Sequence, residues 1–252
     1  MIEFEHKPRS RNIFDPTSEK PFKLSRSKIE DFVRCPRCFY LDRRLAVGPP
    51  STPGFTLNTA VDELLKKEFD EYRALGEPHP LMVEHEIDAV PFQHDHLDDW
   101  RSNFKGVQVH HRSTNFIITG AVDDVWINPA GELIVVDYKA TSINGSVTEK
   151  THLRASYRRQ LDIYQWLLRE AGFTVASVGY FVYANGRKDR ARFDNTLDFE
   201  VKILTYRGDC SWVEPRLHQA RACLSADEPP PPSSWCEYCA YRSHARDAFA
   251  ST

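Results

Sequence analysis

The sequence of 252 residues lacks several features that would place it in a specialised class. No apolar run reaches the roughly 20 residues that a membrane-spanning helix needs, and the first residues contain no apolar segment typical of a secretory signal. Basic residues do not outnumber acidic ones. The net charge of −3 argues against an all-over electrostatic attraction to nucleic acid, but it allows a local one. No internal repeat is present, and we expect a globular protein of the cytoplasm without a membrane partner.

Apolar patterns along the chain predict an α/β fold with a mixed central sheet flanked by helices. Residues 1–22 are polar and aperiodic, so we expect a mobile arm there and a single domain over 23–252. Ser27 and Glu30 fit a capping box at the start of a first helix, which Pro36 interrupts. The other predicted elements are a helix over 57–72, a short helix near 97–104, strands over 115–128 and 132–142 joined by a turn at 128–131, a helix over 156–172, strands over 175–184 and 198–206, and a helix over 212–224.

Acidic residues meet a lysine at the end of the second predicted strand. Asp137 and Lys139 lie two positions apart and point to the same side, because side chains alternate along a strand. Pairing across the 128–131 turn can bring Asp123 or Asp124 beside Asp137. Neighbouring carboxylates repel each other unless a cation lies between them, and their hard oxygens suit Mg²⁺ or Mn²⁺. A lysine there can orient a water and stabilise charge on a phosphate, although Asp-x-Lys also ends many ordinary strands.

Four of the six cysteines form two Cys-x-x-Cys pairs, Cys35/Cys38 and Cys236/Cys239. Without a secretory signal, this spacing indicates metal binding and not disulfides. Each pair can chelate one edge of a tetrahedral four-cysteine site, which suits Zn²⁺ or an iron–sulfur cluster. Such a site would join the N-terminal helix to the C-terminal segment. The alternative is that all four thiols are free.

Residues 120–123 (GAVD), a hairpin and residues 135–139 (VVDYK) resemble the G-x-x-D … D-x-K core of the RecB-like branch of the PD-(D/E)XK nuclease superfamily. The next predicted helix carries Gln160 and Tyr164, similar to the Q-x-x-x-Y motif of that branch. Positions i and i+4 share one helical face, although Tyr164 also falls on the apolar stripe, where it would be a core residue. The resemblance covers most of the chain, from about 24 to 241.

The resemblance implies a restriction-endonuclease-like core and a Mg²⁺- or Mn²⁺-dependent deoxyribonuclease. Exonuclease or single-strand flap activity in DNA repair, recombination or defence is expected, as in the CRISPR-associated RecB-type exonucleases and the AddB-type nuclease domain. The implied partners are DNA, as single strands or duplex ends, and a helicase or other nucleic-acid-processing protein. The implied residues are, for catalysis, Asp123, Asp137, Lys139, Gln160 and Tyr164, and, for the metal, Asp62, Asp123, Asp137 and Tyr138.

The sequence departs from the family pattern at two places. Asp62 stands where the family often has a metal-binding histidine; a carboxylate is a competent hard ligand, and a plain surface residue is the alternative. The family resemblance favours a 4Fe–4S cluster, usually held by one N-terminal and three C-terminal cysteines. Here Ala245 stands at the last of these positions, and Cys38 supplies the fourth cysteine. Zn²⁺ therefore remains open beside 4Fe–4S, and His244 is either a spare ligand or an exposed residue.

Other polar residues give weaker signals. Basic clusters are interpreted as solvated faces unless they lie near the catalytic site. The remaining histidines are expected at the surface, and the two unpaired cysteines are expected to be buried as small hydrophobic residues. The basic clusters are Arg154, Arg158 and Arg159, and Arg187, Lys188, Arg190 and Arg192. The histidines include His94, His96, His110 and His111, and the unpaired cysteines are Cys210 and Cys223.

Two other functional classes stay open at this stage. A nucleic-acid-binding subunit could keep the same fold without cleaving, but the intact Asp-x-Lys argues against a lapsed site. A structural interaction protein held by its metal site leaves the paired acids and the Gln160/Tyr164 motif unexplained.

Overall fold

The computed structural model describes residues 10–50, 54 and 56–250. Its elements are, in chain order, β1 (Phe22–Ser25), α1 (Arg26–Arg34), α2 (Pro36–Arg44), α3 (Thr56–Leu75), α4 (Pro80–Glu84), β2 (Val90–Pro91), α5 (Leu97–Arg101), β3 (Val107–His111), β4 (Phe116–Gly120), β5 (Asp124–Ile127), β6 (Leu133–Thr141), α6 (Glu149–His152), α7 (Ala155–Glu170), β7 (Val178–Gly186), β8 (Phe199–Arg207), α8 (Val213–Ser225) and α9 (Glu237–Ala250). None of the helices in these ranges is both long and apolar enough to span a membrane.

The described residues divide into two compact units. Unit 1 lies within Met1–Thr52, His110–Ile118 and Ser211–Thr252, and unit 2 lies within Pro53–Val109 and Thr119–Cys210. The candidate carboxylate site belongs to unit 2 and the cysteines of the two Cys-x-x-Cys pairs belong to unit 1, so each is described within its own unit.

A mixed five-stranded sheet of order β2-β5-β6-β7-β8 forms the centre of unit 2. β5 and β6 form the predicted hairpin, in which Asp124 pairs with Val136. The turn closes at Gly131, whose φ of 76° favours glycine. β6 and β7 are parallel, with Asp137 beside Phe181, because α6 and α7 carry the chain back to the same end of the sheet. The prediction of a mixed α/β sheet flanked by helices is confirmed.

Helices cover both faces of this sheet. On one face Phe69 of α3 stacks on Trp126, with ring centroids 5.5 Å apart. On the other face Leu161 of α7 packs so closely on Gly179 that a Cβ there would lie 2.4 Å from the leucine side chain. The first four residues of β6, Leu-Ile-Val-Val, are buried. Polar side chains begin only at Asp137, where the strand approaches its C-terminal end.

One predicted strand is divided in two. Instead of a single strand over 115–128, β4 ends at Gly120 and β5 begins at Asp124, and the two strands belong to different sheets. Within the break, the amide of Val122 donates to the carbonyl of Trp100 at 3.1 Å instead of to a neighbouring strand. The break leaves Asp123 just before β5, where its side chain is partly exposed instead of buried in the core.

Unit 1 is mainly helical. Its strand β1 belongs to a three-stranded sheet of order β1-β4-β3, and α1 and α2 pack against α8. Phe32 meets Phe39 edge to face, with centroids 5.3 Å apart. The hydroxyl of Tyr40 donates to the carbonyls of Ala226 and Asp227 at 3.0 and 3.1 Å. These contacts fix the start of the chain segment that leads to the second cysteine pair.

The first helix begins earlier than the capping box predicts. α1 starts at Arg26, and Ser25 is its N-cap residue, without a side-chain cap hydrogen bond. The hydroxyl of Ser27 lies 2.9 Å from that of Ser25 and caps nothing, so the prediction of a capping box at Ser27 is wrong. Pro36 does separate two helices, because α1 ends at Arg34 and α2 begins with the proline itself.

The N-terminal segment contributes to the core of unit 1. Residues 1–9 of the arm expected over 1–22 lie outside the described part of the chain. In the rest of that segment Phe14 is buried. Its ring meets Phe22 edge to face at 5.3 Å and Phe116 at 6.5 Å, so these aromatic contacts anchor the segment around it.

Candidate active site and cysteine cluster

The side chains of Asp123, just before β5, and Asp124, its first residue, point in opposite directions. Asp124 is completely buried, where it pairs with Arg73 and with Arg101 at 2.8 Å and accepts the hydroxyl of Tyr138 at 2.8 Å. Asp123 is partly exposed, and its carboxylate accepts the backbone amide of Tyr138 at 2.9 Å. Strand alternation thus sends one acid into an ion-pair network in the core and the other toward the candidate site.

Asp137 and Lys139 form an ion pair near the end of β6. Asp137 is fully buried, and the ammonium of Lys139 lies 4.9 Å from the ring centroid of Tyr157 on α7. Burial acts to lower the pKa of Lys139, but the carboxylates of Asp137 and Asp123 outweigh it and raise the pKa above its usual value. The lysine is therefore charged at neutral pH and held in place by an anion and an aromatic face.

Asp62, on α3, belongs to the same group of charges. It pairs with Lys66 one turn along the helix at 2.7 Å, and Lys66 also lies 3.9 Å from Asp123. Burial and the nearby charge of Asp123 raise the pKa of Asp62, although Lys66 and Lys139 oppose the rise. The residue that stands at the family's histidine position thus faces the charged site and is not an isolated surface group.

Three carboxylates and two ammonium groups give this region a net charge of −1. The oxygens of Asp62, Asp123 and Asp137 do not all lie within 4.8 Å of one another, and the ammonium groups of Lys66 and Lys139 lie beside them. The donor set itself, hard carboxylate oxygens with an excess of negative charge, fits Mg²⁺ or Mn²⁺.

A cleft of about 230 Å³ opens beside these charges. It is lined by Asn58, Val61, Asp62, Leu65, Tyr138, Lys139, Ala140 and Tyr157. The side chain of Tyr138 is committed to Asp124, so the part of Tyr138 that faces Lys139 is its backbone carbonyl, 3.5 Å from the ammonium. A metal contact from Tyr138 would therefore use the carbonyl oxygen and not the phenol.

Gln160 and Tyr164 lie one turn apart on α7, as their spacing predicts. The amide of Gln160 donates to the hydroxyl of Tyr164 at 3.1 Å, and both side chains are buried. The ring of Tyr164 packs on Gly120, where a Cβ would lie 2.7 Å from Cε1 of the tyrosine. Tyr164 is thus a core residue that also holds Gln160, and the glycine of the GAVD segment is the surface on which it packs.

Tyr157 is the site residue that the sequence analysis missed. It appears in the sequence as part of an apolar stripe, but its ring lies next to Lys139 and lines the cleft. The available signal is its spacing, because residues 157, 160 and 164 are three and four apart and so share one face of α7. Arg154 lies 5.8 Å from the same ring, which brings the start of the first basic cluster to the site.

The second basic cluster is largely neutralised by its own neighbours. Arg187 pairs with Asp189, Arg190 with Asp198 at 2.9 Å, and Arg192 with Asp194 at 2.6 Å. Exposed pairs of this kind contribute little to stability. These ion pairs also leave little net positive charge in the loop between β7 and β8. Arg154 and its neighbours on α7 are therefore the better candidates for contacts with an anionic substrate.

The four cysteines of the two Cys-x-x-Cys pairs come together in unit 1. Cys38 lies 3.5 Å from Cys236 and 3.5 Å from Cys239, Cys35 lies 3.9 Å from Cys239, and all four sulfurs are within 4.8 Å of one another. The predicted four-cysteine cluster that joins N- and C-terminal segments is confirmed. The exposed residue His244 is not part of this group.

The thiols do not ionise equally. Burial opposes ionisation of Cys35, but hydrogen bonds with the backbone of Ser233 and Cys38 outweigh it and lower the pKa of Cys35 to about 6. Burial and the three neighbouring sulfurs raise the pKa of Cys38 far above its usual value. Four sulfurs this close can all be thiolates only when a cation lies between them. The donor set and its spacing therefore fit a bound metal.

The two remaining cysteines lie outside this cluster and are half-buried. Cys210 contacts the guanidinium of Arg169 at 3.0 Å, and burial raises the pKa of Cys223 to about 11. Neither residue has the surroundings of a reactive thiolate.

Comparisons with known proteins agree with this geometry. Residues 23–244 match the family described as the PD-(D/E)XK nuclease superfamily. No curated protein matches the chain. Among solved structures the chain is similar to the crystal structure of SSO0001, with 18% identity, coverage of 85% of this chain and 81% of that chain, and a TM-score of 0.40.

Proposed function

We propose that this chain, which belongs to the PD-(D/E)XK nuclease superfamily, is a Mg²⁺- or Mn²⁺-dependent nuclease that hydrolyses phosphodiester bonds in DNA. The observation that carries the proposal is the Asp137–Lys139 ion pair beside Asp123 and Asp62, at the edge of a cleft. Members of the superfamily are generally metal-dependent nucleases, and the residues that this chemistry needs are all present in unit 2.

Each residue has a distinct part in the proposed reaction. Asp123 and Asp137, with Asp62 and the carbonyl of Tyr138, would hold the divalent ion, which supplies a polarised phosphate and a more acidic water. Lys139, charged and fixed between Asp137 and Tyr157, would orient that water and stabilise the charge that develops on the phosphate. Gln160 would contact the DNA backbone from α7, and Tyr164 would hold Gln160 in position.

We further propose that the protein belongs to the RecB-like branch and acts on single strands or duplex ends, in repair, recombination or defence and alongside a helicase or similar partner. The support is the order of motifs, GAVD, VVDYK and then Gln160 with Tyr164, together with the packing of Tyr164 on Gly120. That contact links the first motif to the third, and the hydrogen bond from the Tyr138 amide to Asp123 links the first motif to the second.

The four-cysteine cluster is proposed to hold a metal that stabilises unit 1. A single Zn²⁺ with Zn–S bonds of about 2.3 Å places its sulfurs about 3.8 Å apart, close to the observed 3.5–3.9 Å separations. In a 4Fe–4S cluster each thiolate binds a different iron atom, so the sulfurs are further apart. The spacing favours Zn²⁺, and the family resemblance favours 4Fe–4S. Iron and zinc analysis of anaerobically purified protein distinguishes the two.

The activity is tested with single-stranded and duplex DNA labelled at either the 5′ or the 3′ end, with an RNA strand of the same sequence for comparison. We expect cleavage with Mg²⁺ or Mn²⁺, none with EDTA, and a preference for ends that the two labels assign to one polarity. Tight DNA binding without cleavage in any metal would instead indicate a binding subunit that retains the nuclease fold.

A further inference from the structure

A second group of metal-ligand side chains lies in unit 1, separate in composition from the cysteine cluster. His111 ends β3, and Glu214 and His218 lie one turn apart on α8. One ligand atom from each of the three residues lies within 4.8 Å of the other two. The expectation that His111 is a surface residue is wrong, since only 8% of it is exposed. Neither the carboxylate site nor the four-cysteine cluster uses these residues.

Both imidazoles direct the same nitrogen toward one carboxylate oxygen. Nε2 of His111 lies 2.7 Å from Oε2 of Glu214, and Nε2 of His218 lies 4.0 Å from the same atom. The hydroxyl of Ser113 lies between the two rings, 3.1 Å from Nε2 of His111 and 3.5 Å from Nε2 of His218. Two nitrogens, one carboxylate and one hydroxyl thus converge on a common point.

Thr114 contacts the other ring nitrogen of His111. Its hydroxyl lies 2.7 Å from Nδ1 and 3.4 Å from the backbone carbonyl of His111, to which it can donate. While the hydroxyl donates to that carbonyl, its oxygen accepts from Nδ1–H, and the lone pair of the neutral ring lies at Nε2. In that tautomer Nε2 is available to a cation on the side that faces Glu214, 2.7 Å away.

We propose that His111, Glu214 and His218 bind one Zn²⁺ ion, with the Ser113 hydroxyl or a water in the fourth position. Two imidazoles and one carboxylate are a zinc ligand set. With zinc on Nε2, the Nδ1–H of His111 would donate to the Thr114 hydroxyl 2.7 Å away, which is the outer-shell contact that such ligands characteristically make. Glu214 and His218 are about half exposed, so the ion has access from solvent. Bound zinc would fasten the turn after β3 to α8.

The test counts zinc sites in the tag-free full-length protein, with its cysteine-bound metal left in place. After a weak chelator has removed loosely held metal, calorimetric titration with Zn²⁺ in excess Mg²⁺, which occupies the proposed carboxylate site, should show one further equivalent in the wild type. His218→Ala and Glu214→Gln should each weaken this binding by at least about tenfold. Both side chains are half exposed, and circular dichroism melts check that the variants fold. His110→Ala is the matched control, because this neighbouring histidine is exposed and contacts Asn115 instead.

Titration with Co²⁺ separates this site from the cysteines. Cobalt bound here should give visible bands without the strong near-ultraviolet absorption of thiolate-to-cobalt charge transfer, and His218→Ala should remove those bands. The proposal is overturned if the wild type takes up no zinc that depends on His218 and Glu214, which would leave His111 and Glu214 as a hydrogen-bonded pair without a metal. It is also overturned if His110→Ala reduces binding as much as His218→Ala does.

Discussion

At the scale of single residues, Asp123 and Asp124 show how strand geometry assigns two identical side chains to different tasks. Asp124 pairs with Arg73 and Arg101 in the core, and breaking a buried ion pair leaves uncompensated charge. Asp123 instead accepts the amide of Tyr138 and lies 3.9 Å from the ammonium of Lys66. We therefore assign Asp124 to the stability of the fold and propose that Asp123 takes part in the reaction.

This separation predicts opposite outcomes for the same substitution. Asp124→Asn should lower the free energy of unfolding by about 3–5 kcal/mol. Asp123→Asn should change it by less than about 1 kcal/mol, yet reduce metal-dependent cleavage at least roughly 100-fold. Urea denaturation and initial cleavage rates measure the two effects. If Asp123→Asn cleaves like the wild type, or if it is the more destabilised of the two, the assignment of roles is wrong.

Gly120 gives a second prediction at this scale. Alanine there would place a Cβ 2.7 Å from Tyr164 and 2.9 Å from Leu167. Because both neighbours are buried, Gly120→Ala should cost about 1–3 kcal/mol of stability and lower cleavage by displacing Tyr164. Gly54→Ala is the control, since no atom lies within 4 Å of its Cβ position. Equal thermal melts and equal cleavage for both variants would show that Tyr164 does not depend on the glycine.

At the scale of elements, α7 connects the core to the candidate site. One face carries Tyr157, which contacts Lys139, and Tyr164, which packs on Gly120 and holds Gln160. Another face carries Gln165, whose amide donates to the carbonyl of Ala176 at 3.2 Å. Gln160 and Gln165 therefore lie on different faces of the same helix, and the effects of replacing each by alanine can be compared.

Gln160→Ala should raise KM for DNA by about tenfold while leaving Mg²⁺ affinity unchanged, because the glutamine is proposed to contact the DNA backbone and not the metal. Gln165→Ala should instead cost about 1–3 kcal/mol of stability through its lost hydrogen bond, with KM as in the wild type. Steady-state kinetics and calorimetric Mg²⁺ titration of both variants test this. Unchanged kinetics for Gln160→Ala would restrict the residue to a packing role.

The elements also show how far the sequence alone reaches. Apolar runs and the 128–131 turn predict the β5–β6 hairpin, and helical spacing predicts α7, because those signals are local. The break between Gly120 and Asp124 is not predicted, since residues 116–127 are rich in β-forming side chains and the interruption depends on contacts with Trp100 and Tyr164. The burial of His111 is missed for a similar reason, because its partner Glu214 lies 103 positions away.

At the scale of the whole molecule, the cysteine cluster joins parts of the chain about 200 positions apart. Removal of one thiolate opens the site and releases both segments, so Cys→Ser changes at Cys35, Cys38, Cys236 and Cys239 should each destabilise unit 1 by a similar, large amount. Cys223→Ser should be far milder, because Cys223 lies outside the group. Thermal melts with metal analysis measure this. Folded protein that contains no metal and has four freely titratable thiols would contradict the proposal of a metal-bound cysteine cluster.

We propose that the carboxylate site in unit 2 cleaves phosphodiester bonds, and Asp137 is the residue at which this is tested most directly. Asp137→Asn keeps the shape of a fully buried side chain but removes the charge that pairs with Lys139 and is proposed to bind the metal. Lys139→Met is the companion variant, which should lose activity yet still bind Mg²⁺.

The most direct measurement is the initial rate of release of end-labelled nucleotides in Mg²⁺ by wild type and Asp137→Asn, with both shown by circular dichroism to be folded. We expect release by the wild type that EDTA stops, and a reduction of at least roughly 1000-fold for the variant. Release by folded Asp137→Asn at the wild-type rate would contradict the account.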